Sequence, residues 1–116
     1  MDKIVFITGA SSGIGAGCAR KFASQGASLI LNARNVNKLS ALKEELEKQY
    51  GAKIYLLPFD VRDRKAATSA LESLPKEWQS IDILVNNAGL VIGTDKEQEG
   101  SLDEWDIVID TNIKAL

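Results

Sequence analysis

The chain has 116 residues, 45% hydrophobic and 26% charged, with 14 Lys and Arg against 16 Asp and Glu for a net charge of −2. That length has room for one domain at most, the composition is that of an ordinary globular protein, and the absence of a Lys/Arg run argues against nucleic acid or an anionic membrane surface as partner. No histidine is present, so the commonest metal ligand and general base are missing and no metal site is expected; Cys18 stands alone, which suits a reducing cytoplasm.

Met1-Asp2-Lys3 runs directly into Ile4-Val5-Phe6-Ile7, too short an apolar stretch for a signal peptide or a membrane span. Its β-branched character instead predicts a strand buried on both faces, as in a parallel sheet. Thr8 to Gly15 reads as a glycine- and serine-rich turn. A helix follows, with Ile14, Cys18 and Phe22 on one side and Gly26 placed as its cap. Leu29-Ile30-Leu31 is a second strand. Asn35 or Asn37 caps the next helix, whose apolar positions are Leu39, Leu42 and Leu46, and Gly51 ends it. Ile54 to Phe59 is a third strand. Asp63 caps a helix carrying Ala67, Ala70, Leu71 and Leu74, stopped by Pro75, and Ile81 to Val85 is a fourth strand. Asn86 to Gly100 reads as loop. Ser101-Leu102-Asp103-Glu104 is a capping box opening a last helix with Trp105, Val108, Ile109 and Ile113 as its stripe.

Strand and helix thus alternate four times, predicting an α/β fold: a doubly wound parallel Rossmann sheet in the order 3-2-1-4. Ligand is expected at the switch point, beyond the C-terminal ends of strands 1 and 4. The two suggestive loops, Thr8–Gly15 and Asn86–Gly89, follow those two strands. Turns at opposite ends of the sheet, or antiparallel neighbours there, would dismiss the arrangement.

Thr8-Gly9-Ala10-Ser11-Ser12-Gly13-Ile14-Gly15 lies between a strand and a helix. A pyrophosphate needs close backbone approach and aimed N–H groups; glycines permit both, and the positive end of the helix dipole adds attraction. Ser11 and Ser12 add hydroxyl donors. A plain strand–helix turn would use glycine too, but the flanking elements are those a dinucleotide site requires. After the second strand an NAD site places an acid to hold the ribose 2′-hydroxyl. Here Asn32-Ala33-Arg34-Asn35 contains none. Arg34 offers a guanidinium fork for a 2′-phosphate, which points to NADP(H) in preference to NAD(H); the alternative is a solvated surface arginine. Trp78 and Trp105 read as packing residues and Cys18 as an inert thiol facing the sheet.

Four motifs in order and spacing make the whole chain from Lys3 to Leu116 resemble the short-chain dehydrogenases/reductases. Thr8, Gly9, Gly13 and Gly15 match the family's T-G-x-x-x-G-x-G. Asp60-Val61 matches its acidic residue near the adenine ring. Asn86-Asn87-Ala88-Gly89 matches N-N-A-G, and Asn112 the asparagine of the catalytic tetrad. The resemblance implies that Asn86 ties neighbouring strands together, that Asn87, Ala88 and Gly89 line the adenosine ribose, and that Asn112 holds a water in a proton relay. It implies hydride transfer between nicotinamide and a carbonyl or alcohol carbon of a small molecule, with a Tyr–Lys pair as acid/base and a Ser orienting the carbonyl. The resemblance also implies that the full-length parent is a homodimer or homotetramer.

None of that Ser, Tyr or Lys is matched here; Tyr50 and Tyr55 both precede the N-N-A-G motif. The 116 residues are therefore expected to be the N-terminal cofactor-binding part of a single Rossmann domain, truncated before the fifth strand and inactive alone. The parent should have about 250 residues. The stretch from Leu90 through Trp105 to Asn112 resembles the branch that oxidises 3-hydroxy acids and serine with NADP. A non-catalytic dinucleotide-binding or assembly module is the alternative. A phosphate-loop NTPase fails, because no Gly-Lys-Ser/Thr follows the loop.

Overall fold

Apolar residues alternate between the two faces of each strand, and the two cores of the protein follow from that alternation. The computed structural model describes residues 2–11, 13–87 and 109–111, the last three by backbone alone. Strand β1 spans Ile4–Thr8, helix α1 Gly13–Ser24, β2 Ser28–Leu31, α2 Val36–Tyr50, β3 Ile54–Leu56, α3 Arg64–Glu72, a 3₁₀ turn Lys76–Trp78, β4 Ile83–Asn86 and β5 Ile109–Thr111. Successive strand residues point to opposite sides of a sheet. Val5, Ile7, Leu29, Leu31 and Val85 accordingly face one core, with Ala19, Ala23, Leu39, Leu42 and Leu46 from α1 and α2. Phe6, Ile30 and Leu84 face the other, with Ala67, Leu74, Trp78 and Ile81 from the chain around α3. A side chain as large as Phe6, fully buried, contributes about 1.5–3 kcal/mol.

The sheet runs β3-β2-β1-β4-β5. The β1–β2, β2–β3 and β1–β4 pairs are all parallel, so the expected order 3-2-1-4 is observed. Thr8 lies opposite Asn86, which brings the turns after β1 and β4 to one end of the sheet. At the opposite end, Ile4 N–H donates to the Asp82 carboxylate at 2.9 Å while Asp82 N–H donates back to Ile4 C=O at 2.9 Å.

The caps of α2 and α3 are those expected, with one ambiguity resolved, while the expected capping box at Ser101–Glu104 lies outside the described residues. Asn35, not Asn37, is the N-cap of α2 and accepts from Lys38 N–H; Asp63 caps α3 and accepts from Ala66 N–H. Gly51 closes α2 at φ 65°, a left-handed conformation that glycine adopts without steric cost. Gly26 N–H donates to Ala23 C=O beyond α1. Strand limits shift slightly. β3 stops at Leu56 although Leu57 and Phe59 remain buried, and β4 is displaced towards Asn86, because Ile81 packs from outside the ladder.

Three expectations are corrected. The buried face of α1 is Gly15, Ala19 and Ala23; Ile14, expected beside Cys18 and Phe22, is 53% exposed, while those two are half-buried and pack against the same core. At position 15 glycine is required because the helix start lies against the first turn: a Cβ there would overlap Gly9 C=O. The predicted last helix does not extend through Ile109–Thr111, which is strand β5, antiparallel to β4. Nor does the sheet end at a fourth strand. Without β5 this edge of β4 would leave N–H and C=O groups to be satisfied, and a segment with two β-branched residues out of three pairs with it better than a helix would. This antiparallel pairing lies outside the β1–β4 pair and leaves the common end of the two turns intact.

Trp78 is a packing residue as expected, 5.6 Å from the Tyr55 ring, with Lys53 Nζ 5.3 Å above it. Gly15→Ala should lower stability by about 1–3 kcal/mol, the usual cost of overpacking, whereas Gly13→Ala, whose Cβ meets nothing within 4 Å, should not. Urea unfolding midpoints of the two variants check this; equal midpoints would refute the close-contact account.

Candidate functional site

Parallel pairing places the C-terminal ends of β1 to β4 on one side, and the loops that follow β1, β2 and β3 line a cleft of about 320 Å³. Gly9 and Ser11 come from the loop after β1, Asn32, Ala33 and Arg34 from the one after β2, and Phe59, Asp60, Val61 and Arg62 from the one after β3. A second hollow of about 430 Å³ is lined by Ser11, Arg34 and Asn35. Ser11 and Arg34 thus stand between the two.

The loops are joined by buried amides. Asn32, 1% exposed, donates through Nδ2 to Leu57 C=O and Phe59 C=O, each at 3.1 Å. Its Oδ1 accepts from Gly9 N–H at 3.4 Å, and its C=O accepts from Ala10 N–H at 2.7 Å. One side chain therefore ties the ends of β1, β2 and β3 together. Sequence reasoning noted Asn32 only as the absence of an acid. A polar residue at the end of an otherwise apolar β2 was the available signal, since a buried amide must find partners.

Thr8 and Asn86 are fully buried, and Thr8 Oγ1 donates to Asn86 Oδ1 at 3.1 Å. The tie between neighbouring strands that the resemblance implied for Asn86 is thus made to Thr8. Asn87 Nδ2 donates to Gly9 C=O at 3.1 Å, bracing the first turn from β4. That carbonyl is also the atom against which Gly15 packs.

Of the residues singled out from sequence, Gly9, Ser11, Arg34, Asp60 and Val61 are brought together around the cleft. Thr8, Gly15 and Asn87 hold its floor rather than line it. Gly13 opens α1 at the same end, with nothing within 4 Å of where its Cβ would stand, and no acidic residue occupies the first turn of that helix. Packing therefore does not account for glycine at position 13. Ile14 stands exposed on the same turn. Ser12, Ala88, Gly89 and Asn112 lie outside the described residues.

The charges at the cleft mouth are arranged around one carboxylate. Arg62 reaches Asp60 through Nη2 at 2.9 Å and Nε at 3.1 Å, and its backbone N–H donates to Oδ1 at 2.9 Å. Arg34 Nη1 stands 3.8 Å from Asp60 Oδ2. The hydrogen bonds from the Arg62 side chain, then from its backbone, hold the Asp60 carboxyl below its ordinary 3.8, at about 2. Burial raises the Cys18 thiol, which keeps it protonated and unreactive at neutral pH. Among the described residues, no group of three or more His, Cys, Asp or Glu could hold a metal ion, and no helix is long and apolar enough to cross a membrane.

With this geometry in hand, the likeness to known proteins can be placed. The family model for short chain dehydrogenase matches residues 3–116. The NADP-dependent 3-hydroxy acid dehydrogenase of Escherichia coli is 44% identical over 113 residues, covering 97% of this chain and 44% of that protein. Sulfoacetaldehyde reductase 2 of Chromohalobacter salexigens is 44% identical over 116 residues, covering 100% of this chain and 45% of that protein. Among solved structures, L-sorbose reductase of Gluconobacter frateurii in complex with NADPH and L-sorbose superposes with a TM-score of 0.71 at 31% identity, over 91% of this chain and 41% of that one. The chain spans under half the length of these relatives.

Because the Asp60 carboxyl is depressed in the folded chain, the stability it contributes is fully present above its ordinary value and is lost as pH falls from 3.8 through about 2. A carboxyl-carbon NMR titration should place its midpoint near 2, and in Arg62→Ala the midpoint should return towards 3.8. An unshifted midpoint in the unsubstituted chain would contradict the pairing.

Proposed function

The chain belongs to the short-chain dehydrogenase family, and from that premise we propose that it forms the NADP(H)-binding part of an oxidoreductase acting on a small carbonyl or alcohol substrate. The observation that carries this reading is the placement of Arg34 at the cleft mouth, on the hollow it shares with Ser11 and Asn35, where no carboxylate follows β2. A 2′-phosphate is a dianion that a guanidinium fork binds through paired, charge-assisted hydrogen bonds, whereas an acid would repel it.

The residues present fit a dinucleotide. The open space at Gly13 and the acid-free first turn of α1 suit the approach of a pyrophosphate to the positive end of the helix. Gly9, Ser11, Ser12, Gly13, Ile14 and Gly15 are assigned to that contact, with Thr8 anchoring the loop from below. Asp60 and Val61 are assigned to the adenine, Arg34 to the 2′-phosphate, and Asn87, Ala88 and Gly89 to the ribose. Asn87 would reach it from a position already fixed by its bond to Gly9 C=O.

When bound, NADP(H) would exchange a hydride with the substrate carbon at C4 of its nicotinamide, giving it up to a carbonyl or taking it from an alcohol. The chain's own part is to hold the dinucleotide in one orientation, and by the family pattern Asn112 would hold a water of the proton relay. The Ser, Tyr and Lys of that pattern have no match among these residues, so we assign the proton transfer itself to the parent protein and expect these 116 residues alone to be inactive. A 3-hydroxy acid is the substrate class we favour. The support is the likeness of the stretch from Leu90 to Asn112 to that branch of the family, together with the 44% identity to a 3-hydroxy acid dehydrogenase.

Titration with NADPH and NADH, followed by tryptophan fluorescence or calorimetry, tests the cofactor reading. NADPH should bind more tightly. Arg34→Asp should weaken NADPH by about 30- to 100-fold, through loss of the fork and a reversed charge, and leave NADH within about threefold. Equal loss of both would sink the assignment of Arg34.

A further inference from the structure

The position of Asp60 poses an electrostatic difficulty for the cofactor reading on which this inference rests. Its Oδ2 lies 3.8 Å from Arg34 Nη1, within ion-pair range but too long for a hydrogen bond. Left alone, that carboxylate would draw the Arg34 guanidinium to itself, cancel its charge, and repel a phosphate dianion brought to the same rim. An acid at this rim would act as the acid after the second strand acts in an NAD site.

Arg62 removes the difficulty. Its guanidinium lies along both Asp60 oxygens, with Nη2 2.9 Å from Oδ2 and Nε 3.1 Å from Oδ1 and 3.3 Å from Oδ2. Its backbone N–H, 2.9 Å from Oδ1, fixes the carboxylate from within the same turn. Four polar contacts from one residue leave Arg34 as the more distant partner. All three groups line one cleft, and both arginine side chains are largely exposed, Arg34 at 68% and Arg62 at 74%. The rim therefore carries two positive charges and one negative.

We propose that Arg62 is a specificity-determining residue for 2′-phosphorylated dinucleotides. It engages the Asp60 carboxylate, keeps it from neutralising Arg34, and leaves the cleft mouth with one uncompensated positive charge. Arg62 acts through Asp60 and is a positioning residue, not a catalytic one. The depressed carboxyl of Asp60 agrees with this division, because the Arg62 hydrogen bonds are the main cause and Arg34 is the least.

The test compares the NADPH/NADH affinity ratio in the unsubstituted chain, in Arg62→Ala, and in Arg62→Ala combined with Asp60→Asn. Arg62 is exposed, so its truncation spares the core, and circular dichroism verifies this. In Arg62→Ala, NADPH affinity should fall about five- to tenfold while NADH stays within about twofold, the scale of one rim charge acting on a phosphate dianion. The double variant should regain the NADPH preference, because without the carboxylate there is nothing left to cover. An unchanged ratio in Arg62→Ala, or equal loss of both cofactors, overturns the proposal while leaving the NADP(H) reading standing. Failure of the double variant to recover overturns the route through Asp60. An unsubstituted chain without NADPH preference overturns both.

Discussion

The parallel pairing of β1 with β4, in the register that sets Thr8 opposite Asn86, is the constraint on which the cleft depends. A one-residue slip would turn every side chain of one strand to the other face, exposing Phe6 or Leu84 to the wrong core. It would also part Thr8 from Asn86 and Asn87 from Gly9, so the first turn would lose its brace. Burial sets the register, since Val5, Phe6, Ile7, Leu84 and Val85 are each 3% exposed or less. The same alternation that sorts these residues between two cores therefore holds the two functional turns side by side.

Around that register the site is assembled from groups that no hydrophobic pattern reveals. Gly15 allows α1 to lie against Gly9, Asn32 draws three loop bases together, and Asp60 gathers two arginines at the rim. Each solves a different problem: steric access, satisfaction of buried carbonyls, and control of charge. A buried amide such as Asn32 contributes little net energy per bond, but its loss would leave the Leu57 and Phe59 carbonyls without their donor. The floor of the cleft is therefore stiff while its rim, Arg34 and Arg62, is exposed.

How much was legible in the sequence follows from how local each signal is. The four parallel strands, the Asp63 cap and the Gly51 stop rest on runs of a few residues, and all are found in the structure. In α1 hydrophobicity alone favours Ile14, Cys18 and Phe22, whereas the buried positions are Gly15, Ala19 and Ala23; that Gly9 lies against Gly15 is a tertiary fact. Ile109–Thr111 was read as helix from a stripe and a capping box; the edge of β4, far away in sequence, decides it as strand. The motifs carried Gly9, Ser11, Arg34, Asp60 and Val61 to the cleft, but not the pairing of Asp60 with Arg62 or the three-way role of Asn32. Those depend on side-chain directions that spacing alone does not encode.

The hydrogen bonds joining the first turn and β1 to β4 have a consequence for the order of events in the cell. Ile4 to Asp82, Thr8 to Asn86 and Gly9 to Asn87 each span 78 positions. On the ribosome the glycine loop is made 78 positions ahead of its braces from β4, and none of them exists until that strand has been added. Loop-closure entropy grows with the logarithm of such a span, so contacts of this range are slow to form. While the intervening 78 positions are added, the nascent chain carries the loop without the strand that shapes it.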